Sequence, residues 1–258
     1  MGARVLAALS GSSSRQQKDN LCGPFWAARV LNESGYATWD GKPIDEDLMA
    51  LRAGTVLPEP HAGSDVPPGA AAETHYRYDL SMAPLEHSGT SAGRLAQAIE
   101  AASAGQLRCL PLRGDWNAER VERLMDEAPQ MVARLIANVR TGRLWGSRPS
   151  VELLLEELDG QPGEGPPADW DVGHFIELEM LVRGPKGSLV VVHDSYPSLG
   201  WGGRHLQPPR TLAEALLRGD GREGGVLAVV PAARVESVKQ LAARVGLETG
   251  AWDNGTRS

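Results

Sequence analysis

In Gly173-His174-Phe175-Ile176-Glu177-Leu178-Glu179-Met180-Leu181-Val182-Arg183 the apolar side chains of Ile176, Leu178, Met180 and Val182 mostly alternate with glutamates. That is the period of a half-buried strand. Gly184-Pro185-Lys186-Gly187 has turn chemistry, and Leu189-Val190-Val191-Val192 is a β-branched run, so the pair reads as a hairpin. Counting outward from a midpoint near residue 184 sets position 174 against position 194. An antiparallel return therefore brings His174 and Asp194 to the same end of a sheet.

Upstream, Cys22 to Leu31 carries Phe25, Trp26, Ala28, Val30 and Leu31 with few breakers, and Gly35 stands where a helix would stop. Pro24 falls in the expected first turn, where its missing N–H costs nothing. Cys22 thus sits at a helix N-terminus. From 41 to 89 the chain is rich in Pro, Gly and polar residues and reads as an irregular excursion with one short helix over 45–53. Helices are expected over 91–104, 118–128, 151–158, 211–217 and 235–245, and strands over 107–112, 131–139 and 225–230. A Gly/Pro linker spans 160–168, and the tail 249–258 is expected to fray.

A chain of 258 residues with 41% hydrophobic and 23% charged residues is that of an ordinary globular protein. A net charge of -7 without a basic run argues against nucleic acid as a partner. No stretch approaches the roughly 20 apolar residues that span a bilayer, and the apolar run Val5 to Leu9 is too short for a secretory signal. The expectation is a cytoplasmic protein with no membrane association, whose oligomeric state the sequence leaves open. Its two cysteines, Cys22 and Cys109, are then expected to be reduced. Dispersed histidines give no zinc spacing, and neither metal nor cofactor is called for.

A thiol nucleophile must be partly thiolate, which a helix N-terminus and a nearby base favour. The base in turn needs a group that holds its ring. Cys22, His174 and Asp194 offer these three roles. The developing oxyanion needs donors, for which the Cys22 N–H and an upstream amide would serve; Gln16 and Gln17 stand six and five residues before Cys22. Each residue alone has an ordinary reading, as buried thiol, structural imidazole or strand-end carboxylate; only the set is specific. Cys109, in a strand, reads as core packing. His193, next to Asp194, should point to the opposite face. His205, Trp145 and Trp201, close to glycines, are candidates for lining a cleft.

The run Gln17-Lys18-Asp19-Asn20-Leu21-Cys22-Gly23-Pro24-Phe25, with Gly173-His174-Phe175 and Val191-Val192-His193-Asp194-Ser195-Tyr196-Pro197 downstream, resembles papain-like cysteine peptidases. It looks closest to the bacterial group that includes the leader peptidases of double-glycine bacteriocin exporters. The whole chain also looks similar to an uncharacterised family of actinobacterial proteins of unknown function. The first resemblance implies Cys22 as nucleophile, His174 as general base and acid, Asp194 as orienting group, and Gln17 or Gln16 as oxyanion donor. Gly23, Gly173, Trp145 and Trp201 are the expected substrate-binding residues.

The expectation is accordingly an α+β, papain-like single domain over 1–258. Its core is expected at about 10–40 and 166–248, with a long helical and irregular insertion over about 41–165. The expected activity is thiol-dependent hydrolysis of peptide amide bonds through an acyl-enzyme, including maturation of a precursor peptide, with a peptide or protein as substrate. The alternatives are acyl transfer on the same triad, such as peptide cyclisation or ligation, and a peptide-binding module without turnover.

Overall fold

The computed structural model describes residues 15–59, 65–132 and 134–256. The run Val5 to Leu9 lies outside the described residues. The chain is mixed α/β, with seven α-helices and a large antiparallel sheet among the described residues. The helices are α1 (Cys22–Glu33), α2 (Glu46–Ala53), α3 (Ala92–Ala102), α4 (Ala118–Glu127), α5 (Val151–Leu158), α6 (Pro209–Leu217) and α7 (Val235–Arg244). Two small pairs precede the main sheet: β1 (Thr38–Trp39) with β2 (Lys42–Pro43), and β3 (Val56–Pro58) with β4 (Ser81–Ala83).

The main sheet is built from β5 (Leu107–Arg113), β6 (Arg134–Arg140), β7 (Gly173–Arg183), β8 (Ser188–His193), β9 (Arg204–Gln207), β10 (Gly225–Pro231) and β11 (Glu248–Thr249). Its seven strands run β11-β5-β10-β6-β7-β8-β9, every neighbour antiparallel. Both faces are covered by apolar residues taken alternately from each strand, as the pleat requires. Ile136, Phe175, Leu227 and Val229 pack against α1 and α3. Ala137, Ile176, Val226 and Ala228 pack on the other face, against α4, α6 and α7. β5 and β6, drawn from the 41–165 stretch, hold interior places in this sheet.

Helix α1 is buried over most of its length, with Trp26, Ala27, Ala28, Val30 and Leu31 in one apolar cluster with sheet residues and neighbouring helices. The Trp26 indole N–H donates to the Phe175 carbonyl at 3.0 Å, pinning the helix to β7. Gly23 makes the approach possible: a Cβ there would meet Leu95 at 3.2 Å and the Phe175 ring at 3.3 Å. Truncating Trp26 to Ala would cost about 3–5 kcal/mol on the usual scale for buried aromatics.

The β7–β8 hairpin turns at Gly184–Gly187, where the Gly184 N–H donates to the Gly187 carbonyl at 2.8 Å. Its register differs from the count along the sequence. A bulge between Leu178 and Met180 shifts the pairs, and the β7–β8 ladder ends with Glu177 opposite His193, so His174 is not opposite Asp194; on the other edge of β7 it pairs with Val139 of β6. The glutamates that alternation assigns to solvent are not there either. Glu177 is buried and pairs with Arg134 at 2.7 Å, and Glu179 holds Arg204 through two bonds of 2.8 Å. A buried carboxylate needs such partners, which β6 and β9 supply.

One further expectation is corrected. The tail does not fray within the described residues: Thr249 pairs with Leu112, Trp252 is buried, and the Asn254 side-chain amide donates to the Thr90 carbonyl at 2.9 Å. The excursion over 41–89 does structural work beside α1. Asp45 caps α2 by accepting from the Leu48 N–H. The acidic first turn of α2 then grips the chain ahead of Cys22: Glu46 accepts from the Lys18 N–H at 2.9 Å, and Asp47 meets the Lys18 ammonium at 2.7 Å.

Candidate active site

The segment leading into α1 is fixed from both sides. The Asp19 N–H donates to the Glu73 carbonyl, and the Gln17 N–H donates to the Ser195 carbonyl at 3.2 Å. Asn20 then takes a left-handed backbone conformation, φ 62°, and the helix begins with Cys22 as its first residue. No side chain caps α1, Pro24 has no N–H, and the Phe25 N–H is already bonded to the Leu21 carbonyl. The positive end of the helix is therefore directed at the Cys22 thiol, which is partly exposed.

His174 and Asp194 enter from adjacent strands. His174, second residue of β7, is buried, as is Asp194, just past the end of β8. His174 Nε2 lies 3.2 Å from Asp194 Oδ1, which leaves Nδ1 for the thiol. Asp194 Oδ1 also accepts from the Tyr196 N–H at 2.9 Å, and the Asp194 N–H donates to the Gly203 carbonyl at 2.7 Å, so the carboxylate cannot swing.

The electrostatics follow from these contacts. Burial acts to raise the pKa of the Cys22 thiol, but the His174 charge, a His174 hydrogen bond and the Phe175 and Gly23 backbone N–H groups together bring it below the ordinary thiol value. Burial acts to lower the pKa of His174, yet the Asp194 and Cys22 charges and their hydrogen bonds push it up to about 10. Burial likewise opposes ionisation of Asp194, and the His174 charge outweighs it, leaving that carboxyl below its usual range. All three shifts act in the direction of a thiolate beside an imidazolium, backed by a carboxylate.

The two glutamines part ways. Gln17 is buried; its Oε1 accepts from Ser195 Oγ at 2.5 Å and its Nε2 donates to Tyr196 Oη at 3.2 Å. This fixes the amide with its N–H groups toward Tyr196. Gln16 instead donates to the Ala71 carbonyl at 2.6 Å and does not line the cavity, so it is not the amide at this site.

A cleft of about 540 Å³ opens over the thiol, lined among others by Gln17, Cys22, Trp170, Gly173, His174 and Tyr196. Gly173 is at its wall, where the absence of a side chain leaves room for Arg218: a Cβ would stand 2.7 Å from Nη2. Gly23 lies beneath the site, and its N–H supports the sulfur. Neither expected tryptophan lines the cleft. Trp145 is buried against the Arg210 guanidinium, 5.4 Å from its ring centre, and Trp201 is exposed on a turn bridged to Arg204. Trp170 takes that place, edge-on to His174 at 5.1 Å and to Tyr196 at 5.3 Å. It stands four residues before His174 in Asp169-Trp170-Asp171, a proximity that could have flagged it. Ser195 and Tyr196 follow Asp194 directly, and no pattern in the sequence gives them roles.

His193, His205 and the second thiol are outside the cleft. His193 bonds Glu179 at 3.0 Å beneath Trp26, and His205 is buried beside Gln207. Cys109 is buried in the core, and burial pushes its thiol well above the ordinary value. Among the described residues Glu177, Glu179 and His193 lie close enough to gather a cation. Arg134 and Arg204 already meet those carboxylates, so the cluster is balanced from within. Among the described residues no helix is long and apolar enough to cross a membrane.

Among curated proteins none matches this chain. Residues 2–253 match the model of a family of unknown function, DUF6885, and the chain belongs to that family.

Proposed function

We propose that this protein is a papain-like cysteine hydrolase that cleaves peptide amide bonds through an acyl-enzyme. One observation carries the proposal: a thiol at a buried helix N-terminus shares a cleft with an imidazole whose far nitrogen is held by a buried carboxylate. A structural cysteine has no need of such a relay, and Cys109 has none. The nucleophile helix packed on an antiparallel sheet, with His on β7 and Asp just past the end of the neighbouring β8, supports the papain-like assignment.

In this scheme His174 holds the thiol proton, and the Cys22 thiolate attacks the carbonyl carbon while the carbonyl π pair moves to oxygen. The Cys22 N–H faces that oxyanion. Collapse re-forms the carbonyl and expels the amine, which takes the proton from the imidazolium. Water, deprotonated by His174, then attacks the thioester, releasing the acid and restoring the thiol. Asp194 keeps the ring in place and stabilises its charge without taking the proton.

The test is to incubate wild-type protein and Cys22→Ala with a library of unstructured peptides and to follow masses. Hydrolysis gives Cys22-dependent fragments whose summed mass exceeds the parent by one water. Cyclised or ligated products would assign acyl transfer to the same triad. Peptide retention by both proteins with no Cys22-dependent product would contradict the proposal and leave a binding module.

A further inference from the structure

Resting on the acyl-enzyme reading above, we propose that the Tyr196 hydroxyl is itself a catalytic residue, donating its hydrogen bond to the oxyanion alongside the Cys22 N–H, with Gln17 as the residue that positions it.

Tyr196 is buried, yet it lines the same cleft as Cys22 and His174. Its ring is fixed edge-on against Trp170 and lies 6.0 Å from the His174 ring. Its backbone is fixed too, since the Tyr196 N–H donates to Asp194 Oδ1 at 2.9 Å. The hydroxyl oxygen accepts from Gln17 Nε2 at 3.2 Å. A phenol that accepts one bond still has its own proton to donate, and the described residues offer that proton no acceptor.

Gln17 is the less direct candidate. Ser195 Oγ holds its Oε1 at 2.5 Å, and one of its two amide protons is committed to Tyr196. The chain Ser195 to Gln17 to Tyr196 is a run of donors whose last proton is that of the phenol, and each bond polarises the next in the same sense.

The chemistry suits a donor that keeps its proton. Burial, then the charges of Asp19, Cys22 and Asp194, hold the phenol pKa above its ordinary value, so it remains neutral while Cys22 is a thiolate. The sulfur takes its own hydrogen bonds from His174, Phe175 and Gly23, and Tyr196 is coupled to it through charge. A group near the sulfur but not bonded to it is suited to the oxygen on the carbon that the sulfur attacks. No proton is transferred: the hydrogen bond strengthens as negative charge gathers on that oxygen and relaxes when the carbonyl re-forms.

The experiment compares two reactions of the same thiol. Acylation by p-nitrophenyl acetate, read as the nitrophenolate burst, passes through an oxyanion; alkylation by iodoacetamide does not. In Tyr196→Phe the burst rate should fall about 100-fold, the usual effect of removing one oxyanion donor, while alkylation stays within about twofold and shows the site still folded. A burst within about threefold of wild type would overturn the role of Tyr196. Where the Phe variant fails to fold, 3-fluorotyrosine at position 196 keeps the ring and makes the hydroxyl a stronger donor. The burst rate should then rise with alkylation unchanged, and an unaltered burst would overturn the proposal. Wild-type protein with no burst and an ordinary alkylation rate would overturn the acyl-enzyme reading itself.

Discussion

His174 Nε2 and Asp194 Oδ1 lie 3.2 Å apart although the two residues are not opposite each other in the β7–β8 ladder. The contact is made by side chains converging from strand ends, and the bonds from Tyr196 and to Gly203 lock the carboxylate there. Asp194→Asn should therefore leave the fold intact and remove the charge that sustains the imidazolium. With a weaker imidazolium the thiol holds its proton to higher pH, so the acid limb of Cys22 alkylation shifts upward and labelling at pH 6 slows at least tenfold. Thiol labelling against pH checks it.

Ser195 should act mainly on acylation, since its hydroxyl donates to Gln17 Oε1 at 2.5 Å and lies farther, 3.4 Å, from His174 Nε2. Its hydroxyl sets which way the Gln17 amide faces, and Ser195→Ala leaves a buried carbonyl oxygen without that donor, at about 1–3 kcal/mol of stability. The p-nitrophenyl acetate burst is expected to slow about tenfold while iodoacetamide labelling changes far less. Denaturant unfolding and the two rate measurements read the three quantities separately.

Lys18 and Asp47 form a buried pair, their side chains 8% and 7% exposed. Removing one partner strands the other, which typically costs about 3–5 kcal/mol. Lys18→Met is expected to lose stability in that range, and the double variant with Asp47→Leu should regain most of it. Urea titrations of the three variants test this.

Glu179 supplies an acid-sensitive part of the stability. Burial opposes its ionisation, but hydrogen bonds from His193 and Arg204 and their charges hold its pKa down to about 2, against 4.5 for a free glutamate. A depressed carboxylate stabilises the fold above its unfolded pKa, and that contribution is lost as the pH falls from about 4.5 toward 2. Glu179→Gln should lower stability at pH 7 by about 2–3 kcal/mol and flatten its decline below pH 4.5. Urea midpoints at pH 7, 5 and 3 give the comparison.

What could be read from the sequence was what local pattern controls. The Gly184–Gly187 turn, the strand on either side of it and the helix beginning at Cys22 all depend on neighbouring residues, and they stand where expected. The meeting of His174 and Asp194 followed from an antiparallel return alone. Register did not: the bulge falls at Glu179, where Arg204 and His193 bond its carboxylate, and no alternation signals their approach. Gln16 and Gln17 are chemically identical neighbours, and only the position of Ser195, far along the chain, tells them apart. Glycines beside Trp145 and Trp201 suggest cleft residues, whereas the tryptophan that lines the cleft is Trp170, ahead of β7. The tail failed the same way: Trp252 and Asn254 are ordered by β10 and Thr90, which are remote in sequence.

The central claim is a thiolate held by His174, and the pH dependence of Cys22 alkylation tests it most directly. Iodoacetamide rates would be measured from pH 4 to 10 in a Cys109→Ala background, with and without His174→Ala. The account predicts fast labelling that persists well below the free-thiol pKa of about 8.5 and collapses in His174→Ala. Labelling that follows an ordinary or raised thiol pKa, and is indifferent to His174→Ala, would contradict it.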